Sequence, residues 1–242
     1  MNRLVLWHGW GISTGAWNSL AEQLRPAFRP HLQPLPGYDG APAPQPYTPE
    51  TLVESLLAEL PTPVTLCGWS MGALLAMLAA HKYPDKIERL ILIGATPCFL
   101  QRDGWPYGML PAALATFSHA IEHDALGVLK RFTALFNHND ANSRSIVRAL
   151  AQTHLPPTQV LADGLALLRD IDLRAIVPEI HQPTLLLHGA LDPLMPLPAA
   201  QWLQAKLPAA RLEIFPLAAH APFLSDPARC AALITDFMLQ QK

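Results

Sequence analysis

Residues 64–81 read VTLCGWSMGALLAMLAAH. The first four, Val64–Cys67, form a short apolar run with the length and side-chain shape of a buried strand. Ala73–His81 is a run of Ala, Leu and Met, all strong helix formers. Between them, Gly68-Trp69-Ser70-Met71-Gly72 fits G-x-S-x-G. A strand that turns directly into a helix through this pattern forms a tight elbow. Its flanking positions admit only glycine, and the serine side chain projects above the sheet edge at the helix N-terminus. The pattern alone is common, and the strand before it and helix after it give it meaning.

Outward from the elbow the rhythm repeats. Leu4–Trp7, Leu90–Ile93, Thr184–His188 and Arg211–Phe215 read as strands, and Arg29–Leu35 as a strand compromised by its prolines. Trp17–Leu24, Leu52–Leu60, Ala199–Leu207 and Arg229–Leu239 read as helices. Strands alternating with helices predict an α/β fold, with a mostly parallel sheet covered on both faces. From Pro97 to Pro178 the alternation stops. Leu110–His123, Ala125–Phe136, Ser143–Thr153 and Gln159–Asp170 are all helical in pattern. The expected organisation is a core of residues 1–97 and 178–242, with residues 98–177 inserted as a helical lid.

A serine hydroxyl needs a base to take its proton, and the base needs an orienting acid. Asp192, in HGALDPL, follows the strand Thr184–His188, and His220, in AAHAPF, follows the strand Arg211–Phe215. Both then stand at the carboxyl ends of strands, on the edge where Ser70 projects. The order Ser, Asp, His is that expected after a G-x-S-x-G elbow. Of ten histidines only His220 has this placement; His188 also follows a strand but suits a structural turn. A tetrahedral oxyanion requires preorganised N–H donors. The expected pair is the backbone N–H of Met71 and that of Trp10, in the His8-Gly9-Trp10-Gly11 loop after the first strand.

Bulk composition narrows the setting. The 242 residues are half apolar and only 15% charged, with a net charge of −2, so no global field draws the protein to nucleic acid or membrane. No apolar run approaches the roughly eighteen residues of a membrane span. Three widely spaced cysteines, Cys67, Cys98 and Cys230, suggest neither a disulfide framework nor a zinc site. The N-terminus lacks the apolar core of a signal peptide. These features predict a soluble, cytoplasmic protein. A monomer is the expectation, to which composition does not speak. Eight of the 25 prolines fall between Pro26 and Pro49, and Gly37–Pro49 reads as a rigid surface loop.

With these residues in view, the chain resembles the α/β-hydrolases. Within them it is most similar to the pimeloyl-acyl carrier protein methyl ester esterases of biotin synthesis. HGWG, GWSMG and AAHAPF match at the site, while TPCFLQRDGWP and GLALLRDIDLR match at the two ends of the lid. The lid segments are the more selective, because the triad does not require them. The resemblance implies hydrolysis of a methyl ester on an acyl chain borne by acyl carrier protein, with no need of a metal or cofactor. It implies a pocket built from Trp10, Ser70, Met71, His220 and the lid segment Phe132, Thr133, Ala134, Leu135 and Phe136. It also implies a dock for the acidic carrier at Arg131, Arg144 and Arg148, beside Lys130. Phe136 stands where the family carries a polar residue, and Pro34 where related enzymes often have Asp. The strands that usually precede HGWG are missing, which predicts fewer strands and a more exposed edge. Two alternatives accompany this reading: a general esterase, thioesterase or carbon–carbon bond hydrolase of the same fold, and a non-catalytic binding protein. A solvated helix face would equally explain the arginines, and packing of lid on core would explain the phenylalanines.

Overall fold

A computed structural model describes residues 3–150 and 155–240. Six strands form one wholly parallel sheet: β1 (Leu4–Trp7), β2 (His31–Gln33), β3 (Val64–Trp69), β4 (Ile87–Ile93), β5 (Thr184–Gly189) and β6 (Ala210–Phe215), in the order β2-β1-β3-β4-β5-β6. Every residue of β1, β3 and β5 is buried, so both faces of these strands are covered. The edge strand β2 is only three residues long, confined by Pro30 and Pro34.

Among the described residues ten α-helices accompany the sheet: α1 (Asn18–Leu24), α2 (Pro49–Ala58), α3 (Met71–Lys82), α4 (Pro111–Ile121), α5 (Ala125–Phe136), α6 (Ser143–Ala149), α7 (Thr158–Asp170), α8 (Leu197–Lys206), α9 (Pro222–Ser225) and α10 (Pro227–Leu239). α1 packs on α10, α2 on α3, and α3 on the central strands. α3 is buried on every side from Met71 to Ala80, which explains its uniformly apolar, small-residue composition. α2 begins earlier than its apolar pattern suggested. Thr48 caps it with a capping box, and Pro49 takes the first helical position, where a missing N–H costs nothing.

α4 to α7 lie in sequence between β4 and β5, as the pattern predicted. α4 packs on α5 and α7, α5 on α6, and α6 on α9. The expected helix Ser143–Thr153 is seen as Ser143–Ala149; its last residues fall outside those described. The stretch before α4 is not helical. Trp105 meets Trp202 of α8 edge-on at 5.3 Å, which ties this stretch to the core, and Cys98 bridges to Asp172 beyond α7, which joins the two ends of the insertion.

In the strand order, sequence direction reverses between β1 and β3. That is the switch point, where loops leaving the carboxyl ends diverge and open a crevice. Trp7 pairs with Gly68 in register. The His8–Gly11 loop and the Gly68–Gly72 elbow therefore leave the sheet side by side.

Candidate active site

Ser70 adopts φ 56° and ψ −117°, a conformation that non-glycine residues avoid and that neighbouring structure must enforce. Ser70 N–H donates to Ile93 O at 3.1 Å, and Ser70 O accepts from Ala73 N–H at 2.9 Å, opening α3. The flanking glycines are needed for closeness. A Cβ on Gly68 would strike Gly72 O and the Ala73 backbone, and one on Gly72 would strike the Trp7 and His8 carbonyls. Gly9 lies against the elbow as well, its Cβ position 3.3 Å from Ser70 Cβ. Trp10 follows one residue later, and Met71 opens the helix. The two expected oxyanion donors thus lie on adjoining segments flanking Ser70.

The structure brings Asp192 and His220 together. His220 Nδ1–H donates to Asp192 Oδ2 at 2.7 Å, with both side chains buried. Asp192 Oδ1 accepts from the backbone N–H of Leu194 and of Met195, each at 2.9 Å, which fixes the carboxylate's orientation. Burial pushes the Asp192 carboxyl upward. The charge and hydrogen bond of His220, with His188 and the Met195 N–H, outweigh this and hold it below the usual carboxylate range. Because Nδ1 carries the proton, the other ring nitrogen of a neutral His220 presents a lone pair. That Nε2 is buried without a hydrogen-bond partner among the described residues. Trp69, the residue before Ser70, anchors the base's loop: its Nε1–H donates to His220 O at 2.9 Å. Gly94 leaves room for the imidazole, with a Cβ position 3.0 Å from His220 Nδ1.

His188 is structural in its bonding. It is buried, its Nε2–H donates to Met195 O at 2.7 Å, and burial lowers its pKa against the pull of Asp192. Three further residues support the site: His8, read from sequence only as part of the HGWG loop, and Tyr38 and Gly164, which were not picked out. His8 Nδ1–H donates to Gly9 O at 2.9 Å, while its Nε2 accepts from Leu35 N–H at 3.0 Å. Tyr38 Oη accepts from Gly11 N–H at 3.1 Å, bracing the same loop at its left-handed glycine (φ 67°). Gly164 of α7 lets the Trp10 indole close on that helix, where Nε1–H donates to Leu161 O at 2.9 Å. No signal short of the fold itself marks these partners.

The expected pocket segment divides along α5. Phe132 meets Trp10 edge-on at 5.0 Å, and Phe136 meets Trp69 at 5.8 Å and His220 at 5.4 Å. Both phenylalanines are buried, as is Thr133. Ala134 and Leu135 are exposed on the other side of the helix. A cavity of about 380 Å³ lies beside the first loop, walled by Gly11, Ile12, Leu129, Thr133, Val147 and Leu150. Lys130 stands at this cavity too. Arg131 is paired with Asp124 at 3.2 Å. Arg144 and Arg148 are exposed on α6, with no ion pair among the described residues. Nor do the described residues contain a group of three His, Cys, Asp or Glu side chains placed to hold a metal ion.

The sequence matches the alpha/beta hydrolase family over residues 4–233. It is 44% identical over 247 residues to the pimeloyl-acyl-carrier protein methyl ester esterase of Aromatoleum aromaticum, covering 98% of each chain. The enzyme of the same name from Nitrosomonas europaea is 36% identical over 228 residues, covering 93% of this chain and 90% of that one. Among solved structures, an esterase from Exiguobacterium antarcticum superposes with a TM-score of 0.89 at 26% identity, covering 99% of this chain and 92% of the other. A bromoperoxidase from Bacillus anthracis shares the fold, with a TM-score of 0.86 at 21% identity and coverage of 99% and 93%.

Proposed function

The chain belongs to the alpha/beta hydrolase family, and from that premise we propose that it hydrolyses the methyl ester of pimeloyl-acyl carrier protein methyl ester, releasing pimeloyl-acyl carrier protein and methanol. One observation carries the chemistry: the buried Asp192–His220 pair at 2.7 Å, whose Nε2 has no partner among the described residues and whose loop is bonded by Trp69, the residue before the strained Ser70. The relatives' shared name supports the choice of ester.

Ser70 Oγ attacks the ester carbonyl as His220 Nε2 takes its proton. The carbonyl oxygen becomes an oxyanion, held by the backbone N–H of Trp10 and Met71. Collapse of this tetrahedral species breaks the bond to the methoxy oxygen. His220 returns the proton, and methanol leaves an acyl-Ser70. Water then attacks the acyl carbonyl, giving its proton to His220; the second collapse frees the acid and restores Ser70. Asp192 keeps its negative charge throughout and stabilises the imidazolium.

α4 to α7 form the lid in this reading. Phe132, Phe136 and Thr133 line the acyl path, while Ala134 and Leu135, exposed on the other side of α5, take no part in it. The apolar cavity beside Gly11 is large enough for part of an aliphatic chain. Arg144 and Arg148, with Arg131 and Lys130, receive the acidic carrier through complementary charge. Three buried free cysteines suit a reducing cytoplasm.

The test compares methyl-pimeloyl-acyl carrier protein with a p-nitrophenyl ester, using Ser70→Ala as control. Preference for the carrier substrate, its thioester left intact, and loss of about 10⁴-fold or more in turnover on Ser70→Ala are the expected results. Activity confined to the small ester would refute the carrier substrate and leave an esterase of other specificity.

A further inference from the structure

The loop that carries His220 is held from outside the core by one stretch of the helical insertion. Ala141, between α5 and α6, donates its N–H to Leu217 O at 3.1 Å, and His220 N–H donates to Phe136 O at 3.2 Å. Asn142 Nδ2–H donates to Ser225 O at 2.9 Å. At the centre of this seam is Asp140, only 6% exposed. Its Oδ2 accepts from the N–H of Ala219, the residue before His220, at 2.7 Å. Its Oδ1 accepts from Ser225 Oγ at 2.9 Å and from Asn142 N–H at 2.8 Å.

A buried carboxylate loses its solvation unless donors replace the water. No basic side chain pairs with Asp140 among the described residues, so three hydrogen bonds carry its charge. Such charge-assisted bonds are short and directional. Two of the three cross from the insertion to the segment Ala219–Ser225, one on each side of His220. Packing alone gives no reason for a charge there.

We propose that Asp140 is a positioning residue for the base: its carboxylate bolts the α5–α6 connection to the loop of His220, so that seating the insertion and aiming the imidazole are one event. The inference rests on His220 being the base. It also makes this end of the insertion a fixed hinge, so that any opening belongs to the opposite side.

Asp140→Asn is nearly isosteric but turns one acceptor end into a donor. That end faces either Ala219 N–H or Asn142 N–H, and both are donors. Misaiming a catalytic group costs rate more than substrate binding. The expected result is a fall of about tenfold or more in kcat on a p-nitrophenyl ester and in the rate at which a fluorophosphonate labels Ser70, with KM kept within about twofold. Ser225→Ala removes one bond and leaves Ala219 held; kcat and labelling should fall about two- to fivefold. If kcat and labelling in Asp140→Asn stay within about twofold of wild type, whatever happens to its melting temperature, the proposal is overturned. Should Asp140→Asn not fold, unchanged kcat and labelling in Ser225→Ala overturn it instead. His220→Ala, run in parallel, separates the two ideas. Retained activity there defeats the triad itself, whereas an inactive His220→Ala beside an unaffected Asp140→Asn defeats only the role of Asp140.

Discussion

His8 shows how much of this site depends on a ring kept neutral. Burial lowers its pKa from the ordinary 6.5 to about 4, against weaker upward pulls from the Gly9 carbonyl and Asp39. Both ring nitrogens are occupied, and Nε2 accepts from Leu35 N–H, a role that an imidazolium cannot fill. Protonation would push apart the loops after β1 and β2, and Trp10 projects from the first of them. The folded pKa lies below the unfolded one, so between the two values the unfolded chain binds the proton first. This contribution is complete above pH 6.5 and is lost as the pH falls towards 4; by pH 5 the loss is about 2 kcal/mol. His188, also depressed, acts with the same sign. In urea unfolding at pH 7 and pH 5, His8→Gln, which keeps a donor and an acceptor without titrating, should lose about 2 kcal/mol less than wild type between the two conditions. Equal losses would remove His8 from the acid response.

At the scale of elements, the Trp10–α7 contact sets helix propensity against fit. Replacing an interior helical glycine by alanine ordinarily stabilises by about 1 kcal/mol. At Gly164 the added Cβ would stand 2.5 Å from Trp10 Cδ1 and 2.9 Å from its Nε1. The indole, closed in by Phe132 and bonded to Leu161 O, must then move and carry its backbone with it. Gly164→Ala is expected to lower both the melting temperature and kcat, and a raised melting temperature with unchanged kcat would show that the contact is slack. This pair also marks the limit of what the sequence discloses. Strands β3 and β5 were legible because parallel strands buried on both faces read as near-continuous apolar runs, whereas the edge strand β6, only partly buried, carries Arg211 and Glu213. The ends of β3 and β5 ran longer than expected, since Trp69 and Gly189 remain in the ladder while serving the loops. The Asp192–His220 contact and the strained turn at Ser70 were legible because a strand–serine–helix elbow and residues at strand ends have few local alternatives. Trp10 with Leu161, Tyr38 with Gly11 and Asp140 with Ala219 were not, because each pairs an ordinary residue with a backbone atom 27 to 151 positions away. No local pattern encodes such a partner. The exposure of Ala134 and Leu135 was hidden for a related reason: a resemblance carries a segment over whole, while a helix turns its residues to different surroundings.

Over the whole molecule, a net charge of −2 offers an acidic carrier no general attraction, so recognition must come from where the positive charges stand. In the stretch from Lys130 to Arg148 the only acidic residue is Asp140, and it is buried with its charge spent on Ala219, Ser225 and Asn142. The exposed charges of this stretch are therefore all basic. Arg131 has part of its charge answered by Asp124, leaving Arg144 and Arg148, one helical turn apart on α6, as the stronger contributors. α6 also supplies Val147 to the apolar cavity, so the same short helix carries both Arg144 and Arg148 and part of the cavity wall. Reversing Arg144 and Arg148 together to Glu should raise KM for methyl-pimeloyl-acyl carrier protein about tenfold or more, while a p-nitrophenyl ester is turned over as before. Raised salt should weaken the wild-type enzyme towards its carrier substrate and narrow that gap, because exposed charges are screened beyond about 10 Å at 0.1 M. Equal losses on both substrates would instead indicate damage to α6 and its packing on α5. An unchanged KM for the carrier substrate at low salt would place the dock on another face.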